Sequence, residues 1–146
     1  MTKKKKEKTD DKIEKIVATS QLGLLEARDF MSRDVMVVQE GYSIKTAIEI
    51  LKIHKVSGAP VIAASGELIG IISSYDLLLQ ASSTDLYSPI SYTKNVLSVN
   101  ESTPLKEILI LLYKKKFRRF PVVNNKKKVT GVVSRIDVLS KILKDN

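Results

Sequence analysis

The sequence predicts an α/β (α+β) fold in which two β-α-β-β-α repeats pack sheet to sheet with pseudo-twofold symmetry, preceded by an N-terminal amphipathic helix. Three observations carry that expectation. First, Gly58-Ala59-Pro60-Val61-Ile62 and Gly70-Ile71-Ile72-Ser73-Ser74-Tyr75-Asp76 recur as Arg119-Phe120-Pro121-Val122-Val123 and Gly131-Val132-Val133-Ser134-Arg135-Ile136-Asp137, at a constant offset of 61 residues. The offset runs outward without a gap, pairing Val35 with Val96, Val38 with Val99, Ile44 with Leu105, Ala47 with Ile108, Leu51 with Leu112 and Val56 with Phe117. Second, the apolar residues inside each repeat alternate between helical spacing and short strand-like runs. Third, each repeat alone gives a small sheet with helices on one face, and pairing the two bare faces buries both. A unit used twice in this way directs attention to the cleft between its copies.

In chain order, residues 1–12 (MTKKKKEKTDDK) are almost wholly polar and read as a basic mobile arm. Ile13, Ile16 and Val17 recur at helical spacing to about Leu25, which predicts an amphipathic helix over 13–26. That helix either caps the repeat pair or packs on another copy of the chain. The first repeat, 27–80, offers a short strand at Met36 to Val38 and a helix capped by Ser43 with Ile44, Ala47, Ile48 and Leu51 on one face. Val61 to Ala63 and Leu68 to Ile72 flank Ser65-Gly66-Glu67 as a hairpin, and a last helix starts near Ser73. Residues 81–92, rich in Ser, Thr and Pro, read as a linker. In the second repeat, 93–146, Thr103-Pro104 reads as an N-cap and first-turn proline. Leu105, Ile108, Leu109 and Leu112 form that helix's apolar face, and Asn124 to Lys127 form the hairpin turn.

The 146 residues are enough for one core without covalent staples. With no cysteine and a single histidine, disulfides, thiolate nucleophiles and multi-histidine metal sites built from one chain are excluded. The charged N-terminus and the absence of an apolar run near ~18 residues point to a soluble, cytoplasmic protein with no membrane span. The net charge of +9 is uneven: residues 1–90 hold 12 basic and 12 acidic side chains, residues 91–146 hold 13 and 4. The whole excess therefore lies in the second repeat.

Chemistry is expected where each Gly-containing strand runs into S-x-x-D, at Ser73 and Asp76 and again at Ser134 and Asp137. Locally, such a pattern caps a helix: the Ser oxygen accepts from the third helical N–H and the Asp favours the positive helix end. The same arrangement also suits a ribonucleotide, because the carboxylate can accept from two ribose hydroxyls while the hydroxyl and free N–H groups meet phosphate. Met36 and Leu97, matched by the offset, are the expected apolar walls for a base.

These residues make the chain similar to a tandem pair of CBS domains, the module named after cystathionine β-synthase. The resemblance covers about residues 27–143, from Ala27-Arg28-Asp29-Phe30-Met31-Ser32 through Gly131 to Leu139, and rests on the duplicated x-Pro-Val-h strand and G-h-h-S/T-x-x-D-h-h ending. It looks most like short stand-alone pairs, including plant organellar ones. The resemblance implies paired β-α-β-β-α units enclosing up to two adenine-nucleotide sites, often in a disc-like dimer. It places the ribose-binding acid on Asp76 and Asp137 and the phosphate-contacting hydroxyl on Ser73 and Ser134. The segment offering backbone atoms to the base, and a basic side chain to phosphate, falls on Gly58-Ala59 before Pro60 in one repeat and on Arg118-Arg119-Phe120 before Pro121 in the other. Only the second copy carries the basic residue, and an Arg fork forms charge-assisted bonds to phosphate, so the second site is expected to be the tighter one.

The expected function is a non-enzymatic regulatory sensor that binds AMP, ADP or ATP, forms a homodimer and acts on a target protein. The competing expectation is a nucleic-acid-binding protein using the basic second repeat and the Lys3 to Lys6 arm, although no aromatic strip or recognition helix accompanies them. Lys114 to Lys116 at a helix end, Lys126 to Lys128 at a hairpin tip and His54 at a helix end are ordinary solvated positions. An enzyme using Asp76 and Asp137 as paired carboxylates is disfavoured, because each belongs to its own helix start and no nucleophile joins them.

Overall fold

The structure, a computed structural model, describes residues 11–12, 21–114 and 119–145. Residues 1–10 of the arm expected over 1–12, residues 13–20 of the helix expected over 13–26, and Arg118 lie outside the described residues. The elements are a 3-10 turn Gln21–Leu24, then α1 (Ala27–Phe30), β1 (Val38–Gln39), α2 (Ile44–His54), β2 (Gly58–Ile62), β3 (Leu68–Ser73), α3 (Ser74–Ser83), β4 (Val99–Asn100), α4 (Leu105–Lys114), β5 (Arg119–Val123), β6 (Val129–Ser134) and α5 (Arg135–Asp145). They form two three-stranded sheets, ordered β1-β2-β3 and β4-β5-β6. The β-α-β-β-α order read from the sequence is therefore present twice. Where the helix expected over 13–26 is described, it is instead the single 3-10 turn Gln21–Leu24 followed by the short α1.

The helix starts follow from local chemistry. The Ser43 hydroxyl accepts from the Thr46 N–H at 3.1 Å and caps α2, whose Ile44, Ala47 and Leu51 are buried. Lys55 closes the helix in the left-handed region at φ 54°. In the second copy the cap differs from expectation. α4 begins at Leu105, the Pro104 carbonyl accepts from the Ile108 N–H at 3.3 Å, and the Thr103 hydroxyl accepts from the Asn100 N–H at 2.9 Å instead of capping. Proline's missing N–H suits a helix entry, and the threonine is used to close the turn out of β4.

Both prolines sit where a strand lacks a neighbour. β1 pairs in parallel only with Val61 and Ile62, and β4 only with Val122 and Val123, so Pro60 and Pro121 precede the paired stretch and no ladder donor is lost on that side.

The chain folds into two compact units that do not follow the sequence repeats end to end. One unit holds Val35–Leu97 and Asn125–Val129; the other holds Ser98–Asn124 and Thr130 onward together with the residues up to Asp34. In the first unit the linker is structural. Thr93 exchanges two backbone hydrogen bonds with Ile71, at 2.9 and 3.0 Å, and Tyr92 crosses Gly70 so closely that an added Cβ would clash with its ring and lie 2.7 Å from the Thr93 carbonyl oxygen. Ile90 is buried, and the Gln80 side-chain amide exchanges bonds with the Ser91 backbone at 2.9 and 2.8 Å. In the second unit Ser32 exchanges two 2.9 Å bonds with Val132, Met31 crosses Gly131, and the Ala27 and Arg28 N–H groups donate to Thr103 and Glu101. The offset of 61 maps Met31-Ser32 on Tyr92-Thr93 and Gly131 on Gly70. Each repeat is thus edged by the segment that leads into the other repeat.

Each unit has its own core. One is built on Val38, Ile44, Ala47, Val61 and Ile72, the other on Ala27, Leu105, Ile108, Val122 and Val133. Apart from Ala27, these side chains come from the helix faces and strand runs marked in the sequence, and burying a Val, Leu or Ile contributes roughly 1.5–3 kcal/mol each.

Candidate functional site: two capped helix starts

In the first repeat β2 and β3 run antiparallel with Gly58 opposite Ser73, Ala59 opposite Ile72 and Pro60 opposite Ile71. The register brings the segment before Pro60 directly beside the S-x-x-D start. On the β1 side Gly58, Ala59 and Pro60 have no paired strand, because β1 reaches only Val61 and Ile62. A side chain at Gly58 would meet the Ile72 carbonyl oxygen at 3.1 Å, so this copy places only backbone there. Ser73 ends β3 in an extended conformation and caps α3: the Asp76 N–H donates to Ser73 Oγ at 3.0 Å and the Ser73 N–H donates to Asp76 Oδ2 at 3.1 Å. Ser73 and Asp76 are half-buried, and Met36 packs against the core of the same unit.

The second copy repeats this geometry with one addition. The Ser134 N–H donates to Asp137 Oδ2 at 2.8 Å, the Asp137 N–H donates to Ser134 Oγ at 3.2 Å, and the Ser134 hydroxyl itself donates to Asp137 Oδ2 at 2.8 Å. Arg119 is exposed at the start of β5, next in the sheet to the strand ending in Ser134, while Phe120 and Pro121 are buried. Leu97 is half-buried and belongs, like Met36, to the unit of the first repeat. Both readings of S-x-x-D are therefore compatible at once: the capping bonds engage Oδ2 of each aspartate, and among the described residues no chain group bonds Oδ1.

One part of the surroundings was not anticipated. A cavity of about 280 Å³ lies against Asp137, walled by Asp29 and Phe30 of α1, by Met31 just after it, and by Ser140, Lys141 and Lys144 of α5. The signal available was the spacing of 137, 141 and 144, which is one helical face. Nothing in the pattern announced that α1 would supply the opposite wall. His54 is exposed at the end of α2. Among the described residues no group of three or more His, Asp or Glu side chains is placed to hold a metal ion, and no helix is long and apolar enough to cross a membrane.

A tandem α/β module carrying the same capped Ser–Asp pair in each copy defines a repeat protein with two matched candidate ligand positions. The CBS domain model matches residues 27–82 and 89–144, and the chain belongs to that family. It is 31% identical over 144 residues to the chloroplastic CBS domain-containing protein CBSX2 of Arabidopsis thaliana, covering 76% of this chain and 60% of that protein. It is 27% identical over 111 residues to the L-aspartate semialdehyde sulfurtransferase of Methanocaldococcus jannaschii, covering 76% of this chain and only 22% of that enzyme. Among solved structures, CBSX2 in complex with AMP is 35% identical with a TM-score of 0.70, covering 82% of this chain and 96% of that one. The CBS domain pair of protein MJ0100, in complex with 5'-methylthioadenosine and S-adenosyl-L-methionine, shares the fold at 24% identity and a TM-score of 0.67, covering 84% of this chain and 98% of that one.

Proposed function

We propose that this chain is a non-enzymatic regulatory module that binds an adenine nucleotide, AMP, ADP or ATP, at its S-x-x-D helix starts and thereby changes its affinity for a target protein. The observation that carries the reading is the twice-built Ser–Asp pair, in which Oδ2 is spent on the helix cap and Oδ1 is left for ribose hydroxyls. The helix start then supplies N–H groups and positive dipole to a phosphate. The complex of CBSX2 with AMP supports the ligand class. Gly58 against Arg119 makes the second position the stronger phosphate site, because only there does a guanidinium flank the helix start.

Control of a partner requires that the nucleotide prefer one state of the protein, and a tenfold effect needs about 1.4 kcal/mol of differential binding. One or two phosphate–Arg bonds are of that order. Self-association belongs to the same reading and falls on the exposed apolar helix faces. Calorimetry with AMP, ADP, ATP and S-adenosylmethionine is the test. Binding that is lost in Asp137→Ala and weakened in Arg119→Ala is expected; absence of binding by all four, or binding indifferent to both substitutions, overturns the proposal.

A further inference from the structure

The groove between α4 and α5 opens within the unit that the N-terminal part of the chain enters. Leu109, Leu112 and Tyr113 of α4 and Val138, Leu139 and Ile142 of α5 line it, and it holds about 440 Å³. Tyr113 and Leu139 are more than half exposed, so among the described residues this apolar surface is open to water. The turn Gln21–Leu24 packs on α4, and the Leu25 carbonyl accepts from the Leu105 N–H at 2.9 Å. The chain is therefore pinned at the first residue of α4, with residues 13–20 just before it in sequence.

Length and pattern both match the groove. Eight residues at helical rise reach about 12 Å, and Tyr113 lies the same distance along α4 from Leu105. Ile13, Ile16 and Val17 stand at i, i+3 and i+4, which is one face of a helix, and Asp11 and Lys12 just upstream are helical and exposed. The offset of 61 pairs Ile16 and Val17 with Leu77 and Leu78, two of the residues by which α3 lines the groove of the first repeat.

We infer that residues 13–20 lie along α4 in this groove, antiparallel to it, with Ile13, Ile16 and Val17 against the apolar lining and Ile13 nearest Tyr113. The occupant is the chain's own segment because it is tethered at the groove's edge. A short tether gives an effective concentration in the millimolar range, which a second copy matches only at comparable protein concentration. Ile136, 65% exposed, is outside the lining, so the outer stripe of α5 stays open to contacts between copies. The inference is independent of the nucleotide reading.

The full chain contains no cysteine, so disulfide trapping has no background. Ile13→Cys/Tyr113→Cys, oxidised mildly at low protein concentration, is expected to form a bond within one chain. Adding Ile16→Asp and Val17→Asp keeps the tether and removes the apolar face. The rate of bond formation should then fall at least about tenfold, since burial of two aliphatic side chains exceeds the equivalent free energy. A bond that forms as fast with the aspartates as without them reflects the tether alone and overturns the inference. Absence of a bond overturns it as well, and so does a bond formed only between chains at a rate that rises with concentration, which would seat a second copy in the groove.

Discussion

At the scale of a single side chain, Asp76 and Asp137 cap their helices and, on the proposed function, also hold the ribose. Oδ2 fixes the helix start by accepting from the serine N–H, and that bond restrains the carboxylate. A cap that orients a binding group couples stability to ligand affinity. Ser73→Ala and Ser134→Ala each leave the Asp N–H without its acceptor, at 3.0 and 3.2 Å in the native chain, and each is expected to cost about 1 kcal/mol in chemical denaturation without ligand. The two substitutions should be alike in stability and, if the second helix start is the stronger phosphate site as proposed, unlike in binding, with nucleotide affinity falling more in Ser134→Ala. Equal affinity loss in both would show that the Arg119 and Gly58 difference does not rank the sites. Tyr92 shows the same economy elsewhere: its hydroxyl donates to Glu40 Oε1 at 2.8 Å, and this bond above all holds the phenol pKa above its ordinary value.

The exchanged edges dominate at the scale of the element. Gly70 and Gly131 lie in strands and show no positive φ; what they supply is room, since Tyr92 and Met31 cross where a Cβ would stand. Gly131→Ala is expected to destabilise the chain by about 1–3 kcal/mol through overpacking, measured by thermal or urea unfolding. Gly66→Ala tests a different cause, because its φ of 93° strains any L side chain while the nearest atom, on Lys128, is 3.7 Å away. If Gly131→Ala unfolds like the native chain, the close crossing is not a constraint on the fold. This contrast also explains what was legible in the sequence. Caps and turns such as Ser43, Ser73 and Gly66 are decided by residues three or four apart, so pattern reading reaches them. The exchange depends on Met31 finding Gly131 a hundred residues later, and local pattern places Ala27 to Ser32 with the repeat it precedes. The offset did contain the clue, because it aligns Met31-Ser32 with Tyr92-Thr93, yet only packing reveals what the alignment is for. The candidate site divides in the same way. Ser134 and Asp137 are visible as a motif, whereas the cavity beside Asp137 exists only because α1 supplies its second wall.

At the scale of the whole molecule, the apolar surface left uncovered follows the offset as closely as the core does. Leu109, Leu112, Val138, Leu139 and Ile142 line a groove of about 440 Å³ between α4 and α5, and their counterparts Ile48, Leu51, Leu77, Leu78 and Ala81 line one of about 430 Å³ between α2 and α3. Above the grooves, Tyr75 and Leu78 on α3 are 68% and 66% exposed, and Ile136 and Leu139 on α5 are 65% and 54% exposed. Isolated apolar side chains are normal on a surface, but stripes at i and i+3 repeated on equivalent helices are the mark of a face that meets another protein. A second copy of the chain offers the same face, and an isologous contact would cover the helices of both copies at once. We therefore expect concentration-dependent self-association in sedimentation velocity. Leu139→Asp and Leu78→Asp place a charge in that face at half-exposed or more exposed positions, so they should shift the equilibrium to monomer by at least about tenfold while leaving the unfolding midpoint of the monomer within about 1 kcal/mol of native. A native chain that stays monomeric at high concentration, or substituted chains that associate as before, would remove the helix faces from the assembly and leave the capped helix starts as the proposed functional surface.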